Sequence, residues 1–384
     1  MEAEQGSLDH VPIRATWSPS DASEVAAMLD KARGDGLAVV PAGGRTKLHW
    51  GNRSDAECVA LLDLSRLRDP LDVQGDEGIA IVGAGVPVRE LERAARAVGK
   101  RTRLPALWDA ATVGGTIAAD PVGPATRPHQ RLRDELLGLE VALANGELTR
   151  SGGQVVKNVT GFDLVRLYCG SLGTLGVITR VTLRLWPLPE LRVVRLREVA
   201  SVDTAIQTAH AIVARGVDPA GLAVLPGPSG ARVVCAVEGS RVDAEERAVR
   251  VAGETVGEDV WTEAERQVSG SQEPVDGCDV RVSGRASDTL PIARAVADAG
   301  GGLRVALPAL GTVFARVAAD ALDALEARAV RERWAFFVER AAPEVKSARD
   351  VFGPPPDALP LMRRLKALFD PERVLSPGRF VGGI

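Results

Sequence analysis

Hydrophobic and polar positions follow two different patterns along the chain, and the change falls near residue 189. Before it, short apolar runs alternate with glycine-rich turns; residues 37–40, 78–82 and 177–185 predict buried strands. Polar residues ahead of an apolar stripe predict a helix around residues 24–29, and Pro87 suits the first turn of a helix through Val98. Residues 136–143 alternate toward a strand, followed by Asn145-Gly146 as a hairpin turn.

After residue 189 the glycine turns give way to regular alternation. Residues 191–256 and 279–339 each predict the order strand, helix, strand, strand, helix. This order indicates an α+β cap made of two ferredoxin-like halves or of one larger sheet. The predicted domains are therefore 8–189, the cap at 190–342, and a closing segment at 343–384 that returns to the first domain and contains a basic helix at 361–369.

Charge and cysteine content narrow the functional class. The 384 residues carry 47 Lys plus Arg against 51 Asp plus Glu, a net charge of −4, which does not favour nucleic-acid binding. The four cysteines form no CxxC pair, so zinc ribbons and iron–sulfur clusters within this chain have no support. The N-terminus lacks signal-peptide features and no apolar run reaches membrane-spanning length, so we expect a cytoplasmic protein, with docking to a membrane through partner subunits left open.

The first chemistry-bearing motif follows a predicted strand directly. Consecutive backbone N–H groups in such a glycine turn can form a concave anion site, to which a threonine hydroxyl and two cations would add. A plain β-turn with exposed cations is the alternative. The motif consists of Pro41, Ala42, Gly43, Gly44, Arg45, Thr46 and Lys47.

Two further glycine motifs follow. Thr112, Gly114, Gly115 and Thr116 offer more backbone donors, or else mark a helix start packed closely on a sheet. Residues 152–164 lead into 170–179, whose glycines would let the backbone lie against the edge of a flat ring. A tight helix-to-strand connection is the alternative there. Gly83-Ala84-Gly85 does not continue into a dinucleotide fingerprint, because the third glycine position is Val88 and Pro87 interrupts the pattern.

The order of these motifs carries a resemblance. PAGGRTK, ATVGGTIAA, RPHQRLRDELLG, GGQVVKNVTGFDL, GSLGTLGVITRVTLRLWPLPE and the closing FDPERVLSPGR together resemble the FAD-binding domain of the vanillyl-alcohol oxidase/p-cresol methylhydroxylase (PCMH-type) superfamily. Within it they are most similar to the FAD-binding E-subunit family of glycolate oxidase (glycolate dehydrogenase). The fold class this implies is α+β, a PCMH-type two-subdomain FAD-binding domain followed by a ferredoxin-like α+β cap.

The resemblance also implies roles for individual residues. Pro41 to Lys47 would hold the FAD pyrophosphate, and Thr112 to Thr116 would continue that cradle. Arg45 stands where some members carry the histidine that binds FAD covalently, so non-covalent FAD is expected. Ser376 replaces the asparagine of the usual NPG tail. The remaining implied residues are Arg133 and Asp134 where the two subdomains meet, Gly173, Thr174, Gly176, Val177 and Ile178 along the cofactor, and Lys157, Asn158 and Asp163 of the signature segment.

The implied activity is FAD-dependent oxidation of a small 2-hydroxy acid to a 2-oxo acid. The candidate base is His129, with His49 second, and Arg127 and Arg379 are candidates to hold a carboxylate; a surface position is the alternative for each of these. The implied partners are a second FAD-binding subunit and an iron–sulfur subunit. Two alternatives stay open: a non-catalytic FAD-containing assembly or electron-relay subunit, and an independent FAD-dependent oxidase of an alcohol or sugar acid.

Overall fold

The computed structural model describes residues 6–153, 163–270 and 276–384. Lys157 and Asn158 lie outside these residues. Two compact units divide the chain: unit 1 comprises 1–121, 131–188 and 343–384, and unit 2 comprises 122–130 and 189–342.

The helices and strands follow in chain order. Helices of the described residues are α1 Ala22–Gly34, α2 Val88–Ala97, α3 Val113–Ala119, α4 Leu164–Tyr168, α5 Val202–Ala214, α6 Arg241–Val249, α7 Glu258–Ser269, α8 Thr289–Asp298, α9 Leu322–Glu332, α10 Pro343–Ala348 and α11 Leu359–Phe369. Strands of the described residues are β1 Ser7–Leu8, β2 Val11–Trp17, β3 Ala38–Ala42, β4 Val59–Asp63, β5 Leu71–Gln74, β6 Ile79–Gly83, β7 Lys100–Arg101, β8 Leu136–Ala142, β9 Leu148–Gly152, β10 Val177–Arg184, β11 Trp186–Pro187, β12 Leu191–Val199, β13 Gly221–Gly227, β14 Gly230–Gly239, β15 Glu254–Val256, β16 Cys278–Ser283, β17 Gly302–Leu307, β18 Thr312–Val317 and β19 Ala335–Arg340.

Unit 1 is built on two main sheets. In the first, ordered β1-β2-β4-β3, β4 pairs in parallel with both β2 and β3. Its two faces are both buried: Val39 and Leu62 belong to one apolar cluster, while Val40 and Leu61 belong to another. Burial on both faces explains why β3 has an unbroken apolar sequence. The second sheet is antiparallel in the order β5-β6-β10-β8-β9.

The C-terminal segment completes the first sheet. Val39 N–H donates to Val374 O at 2.7 Å, and Ser376 N–H donates to Val39 O at 2.9 Å, so Leu375 pairs in parallel with Val39. Residues near the end of the described chain therefore lie beside β3, the strand that leads into the first glycine motif, and are hydrogen-bonded to it.

Unit 2 resolves the choice that the sequence left open, because both descriptions of the cap are correct. Within the described residues its strands form one eight-stranded antiparallel sheet in the order β15-β12-β14-β13-β17-β18-β16-β19. Each half has the ferredoxin-like order, in which the first strand lies between the third and the fourth. The halves meet at β13 and β17 in mirrored order, and the α+β fold class predicted from the sequence is confirmed.

Several predicted elements match the structure closely, and others were missed. The helix that begins after Pro87, the basic helix near the C-terminus and the strands at 136–142 and 177–184 all occur. The segment after Thr112 is a short helix as well as a glycine turn. Strands β2 and β4 were not predicted: Pro12 interrupts one, and the other is a short apolar run without turn signals that distinguish it.

Candidate cofactor-binding site

A groove lies in unit 1 where β3 ends. In the described part of the chain it consists of two cavities that share lining residues, with empty volumes of about 550 and 410 Å³ including their mouths. The predicted residues that line it are Pro41, Ala42, Gly43, Gly44, Arg45, Thr46, Lys47, Thr112, Gly114, Gly115, Gly173, Gly176, Val177, Ile178 and Arg379.

Glycine at the start of the groove lets two loops approach each other. A Cβ on Gly43 would collide with Thr112 Oγ1, and a Cβ on Gly44 would collide with Ala110 O. Gly114 packs in the same manner against Ala84, whose Cβ would lie 2.7 Å from an added Cβ. These glycines are thus required by contacts within the protein, and for Gly114 this is the close packing that the sequence offered as an alternative to ligand binding.

Thr112 links the second motif to the helix that follows it. Its side chain accepts a hydrogen bond from Gly115 N–H at 3.3 Å and caps α3. The two interpretations of this motif therefore hold together: Thr112, Gly114 and Gly115 start a helix and also line the groove.

Lys47 occupies the groove as a buried cation. Its side chain is 8% exposed, and Nζ lies 4.0 Å from the centre of the Trp108 ring. The ammonium donates a hydrogen bond to Thr46 Oγ1 at 3.4 Å. Burial lowers the pKa of Lys47 to about 7.

Arg379 brings a second buried cation from the C-terminal segment. Its Nη2 donates to Leu48 O and to Trp50 O, both at 2.7 Å, and so holds the loop after the first motif. Its Nη1 is buried without a hydrogen-bond partner. Burial lowers the pKa of Arg379, yet a guanidinium remains protonated at neutral pH.

Arg45 differs from Lys47 in its surroundings. Its backbone has φ 57°, and its guanidinium lies 3.0 Å from Asp63, while half of the side chain is exposed. The guanidinium of Arg45 therefore already forms an ion pair with Asp63 of the protein itself.

Four residues predicted to bind the cofactor do not line either cavity. Thr116 and Thr174 are buried in the protein, where Thr174 Oγ1 donates to Ser171 O at 2.7 Å. Arg133 and Asp134 belong to a 3-10 turn, in which Asp134 accepts from Arg131 N–H and lies 3.5 Å from Arg166. Their assignment to FAD stays a prediction. Asp163 caps α4 by accepting from Arg166 N–H.

The candidate residues for catalysis are divided between the units. Arg379 is in unit 1, whereas Arg127 and His129 are in unit 2. His129 is exposed. Arg127 is not an isolated surface charge, because its guanidinium lies 3.3 Å from Asp218 and 3.9 Å from Glu238.

Sequence inspection missed several residues that line the groove. They are apolar and carry no motif of their own: Val40, Leu48, Trp50, Leu64, Ala84, Ala118, Ala119 and Leu172. Ala84 could have been noticed, because it stands between the glycines of the rejected Gly83-Ala84-Gly85 pattern. Beyond the groove, the described residues contain no cluster of His, Cys, Asp and Glu that could hold a metal ion.

Two families of known proteins match parts of this sequence. Residues 13–152 match the FAD binding domain family, and residues 354–380 match the C-terminal domain of FAD linked oxidases. Both matches contain residues that line the groove. The chain therefore contains regions that match an FAD binding domain and the C-terminal domain of FAD linked oxidases. Its cofactor is FAD, and the glycine loops with two buried cations suit a ligand that combines a flat ring with a pyrophosphate.

Proteins similar to this chain include a glycolate oxidase subunit GlcD from Bacillus subtilis, 32% identical over 56% of this chain and 46% of the relative. A D-lactate dehydrogenase from Archaeoglobus fulgidus is 37% identical over 44% of this chain and 38% of the relative. A glycolate oxidase subunit GlcE from Escherichia coli is 28% identical over 47% of this chain and 52% of the relative. The matches thus span about half, or less, of the length of these relatives.

A solved structure supports the fold over most of the chain. Alkyldihydroxyacetonephosphate synthase superposes with a TM-score of 0.67 over 94% of this chain and 75% of its own, at 15% identity. In the described ranges, no helix has the length and apolar character required to cross a membrane.

Proposed function

We propose that this chain is an FAD-linked oxidase subunit that oxidises glycolate or another small 2-hydroxy acid to the 2-oxo acid within a complex. The observation that supports this most is the single groove that gathers three glycine loops, Lys47 and Arg379. The names of the relatives, glycolate oxidase subunits and D-lactate dehydrogenase, suggest the substrate class.

The chain's own residues would hold the cofactor non-covalently. Backbone N–H groups from Gly43 to Lys47 would bind the pyrophosphate, and the backbone from Gly173 to Ile178 would lie beside the ring system. FAD, when bound, would accept the two electrons and the hydrogen that leave the hydroxyl-bearing carbon of the substrate. Arg45, which has no nucleophilic nitrogen, offers no covalent attachment.

On the substrate side, His129 remains our proposed base for the hydroxyl proton. It is an exposed side chain of unit 2, and so is accessible to substrate. Arg127 could hold a carboxylate only in competition with Asp218 and Glu238, the acidic side chains near its guanidinium.

That competition favours a second candidate function. A subunit that holds FAD to relay electrons or to support assembly, without a substrate site of its own, needs no unpaired arginine and no base. Under either function we propose a cytoplasmic protein whose partners are a second FAD-binding subunit and an iron–sulfur subunit.

An absorption spectrum before and after acid precipitation tests the cofactor first. We expect yellow colour that passes to the supernatant, whereas colour in the pellet would mean covalent FAD. Two purified complexes, one with the wild-type chain and one with His129→Gln, are then each mixed with glycolate or D-lactate in the absence of oxygen.

Bleaching that depends on His129 supports the enzyme. Bleaching that is the same in both proteins places the base elsewhere and favours the relay. Peroxide formation by the isolated chain with an alcohol or sugar acid would instead establish an independent oxidase.

A further inference from the structure

The ammonium of Lys47 has no counter-ion among the described residues. No carboxylate of those residues lies within ion-pair distance of Nζ, and its neighbours are the Trp108 ring and Thr46. Burying an unpaired charge is costly, and an aromatic face offsets only a small part of that cost. A buried lysine in this situation either loses its proton or receives an anion.

The other charged groups near the groove do not supply that anion. Asp63 pairs with Arg45 at 3.0 Å, and Asp9 pairs with Lys346 at 2.9 Å. Lys346 also donates to the backbone oxygen of His49, two residues from Lys47. Among the described residues that line the cavity of Lys47, none carries a carboxylate.

Arg379 strengthens the demand for an anion in the same cavity. Arg379 is 3% exposed, and its Nη1 has no hydrogen-bond partner. Arg379 and Lys47 line the same cavity as the first glycine motif. Two buried cations and a row of backbone donors form a site for a doubly charged anion, such as the diester pyrophosphate of FAD.

Resting on the proposed FAD site, we propose that Lys47 couples FAD binding to proton uptake. In the cofactor-free protein the buried amine is neutral above pH 7, and it is protonated when the pyrophosphate enters the groove. Since the bound state holds one more proton, the affinity for FAD falls as the pH rises.

The lowered pKa of Lys47, about 7, sets the size of the effect. A free amine with that pKa is about nine-tenths neutral at pH 8, so binding takes up about 0.9 proton there. The dissociation constant for FAD should then rise about tenfold per pH unit between pH 7.5 and 9.

Titration calorimetry of the apoprotein with FAD, in pairs of buffers with different ionisation enthalpies, measures this uptake at pH 8. Lys47→Met should bind FAD with no uptake and with an affinity that is independent of pH. Lys47→Arg should retain much of the affinity at pH 7 and also show no uptake, because a guanidinium stays charged. Lys31→Met, an exposed change on α1, is the matched control and should behave as wild type.

Ligands that carry parts of FAD identify the anion. Adenosine diphosphate ribose, which has the diester pyrophosphate, should show the uptake in wild type, and riboflavin should not. Proton uptake with oxalate but not with adenosine diphosphate ribose would assign Lys47 to the substrate carboxylate and overturn the proposal. Equal proton uptake in wild type and Lys47→Met would also overturn it. Apoprotein that folds but binds no FAD at any pH would contradict the proposed function itself.

Discussion

Ser376 has a backbone conformation that serine adopts poorly. Its φ is 45°, in the left-handed region that favours glycine and asparagine, and its buried Oγ has no hydrogen-bond partner. The asparagine of the NPG tail in the resembling family is a residue type that adopts this conformation more readily than serine does.

Replacing Ser376 should stabilise the protein. Ser376→Gly removes both the strained Cβ contact and the orphan hydroxyl, and should raise the free energy of unfolding by about 1 kcal/mol. Urea unfolding of the apoprotein measures this. Ser376→Ala, which removes the hydroxyl but keeps Cβ, separates the two causes; a glycine variant no more stable than the alanine variant would contradict the conformational explanation.

Gly44 should tolerate no side chain. Its added Cβ would meet the backbone oxygen of Ala110, which cannot turn aside as a flexible side chain can. Gly44→Ala should separate the two loops of the groove and weaken FAD binding by tenfold or more. Gly34→Ala at the end of α1 is the control, since nothing lies within 4 Å of its added Cβ. Equal flavin content of purified Gly44→Ala and Gly34→Ala would contradict this prediction.

At the scale of elements, one buried lysine joins the C-terminal segment to a loop of the groove. Lys366 of α11 donates to Asp370 at 2.6 Å, to Leu375 O at 2.7 Å and to Thr174 O at 2.9 Å. Asp370 in turn accepts from Val374 N–H and Leu375 N–H, both at 2.8 Å. The ammonium therefore fixes the turn that leads into the residues paired with Val39 of β3.

Lys366→Met should leave Asp370 buried with an unpaired charge and should cost about 3 kcal/mol of stability. It should also weaken FAD binding, because Thr174 lies in the loop that begins at Gly173. Thermal unfolding and flavin fluorescence titration of the apoprotein give the two values. Arg364→Met, an exposed change on the same helix, should alter neither. Normal FAD affinity in a destabilised Lys366→Met would limit the role of this lysine to folding.

The burial of Lys47 should make the free energy of unfolding of the whole protein depend on pH. The folded pKa, about 7, is below the ordinary 10.5, so between these values the unfolded chain binds more protons than the folded apoprotein. The free energy of unfolding therefore rises with pH through this window, and the burial penalty is fully present below pH 7. In urea unfolding, wild-type apoprotein should gain about 1 kcal/mol per pH unit over Lys47→Met between pH 7.5 and 9. Parallel curves for the two proteins would show that the amine keeps its proton when buried.

Local sequence predicted the parts of the molecule that depend on local chemistry. The first glycine motif, the helix after Pro87 and the succession of strands and helices along each half of unit 2 follow from turn residues and periodicity. The remainder depends on contacts between distant residues. Nothing near Arg127 indicates its approach to Glu238, and nothing near Lys47 indicates that Trp108 covers it.

The pairing of β3 with the C-terminal segment has a consequence for synthesis of the chain on the ribosome. Arg379 and the Leu48 oxygen that it binds are 331 residues apart. At about 5–20 residues per second, roughly 15 to 70 seconds separate their synthesis. During that interval the first glycine loop of the nascent chain lacks the C-terminal residues that pair with Val39 and the Arg379 guanidinium that holds the loop. We therefore expect FAD to be retained only after the C-terminal segment has been synthesised, and a ribosome stalled before residue 370 to present a chain that retains no flavin.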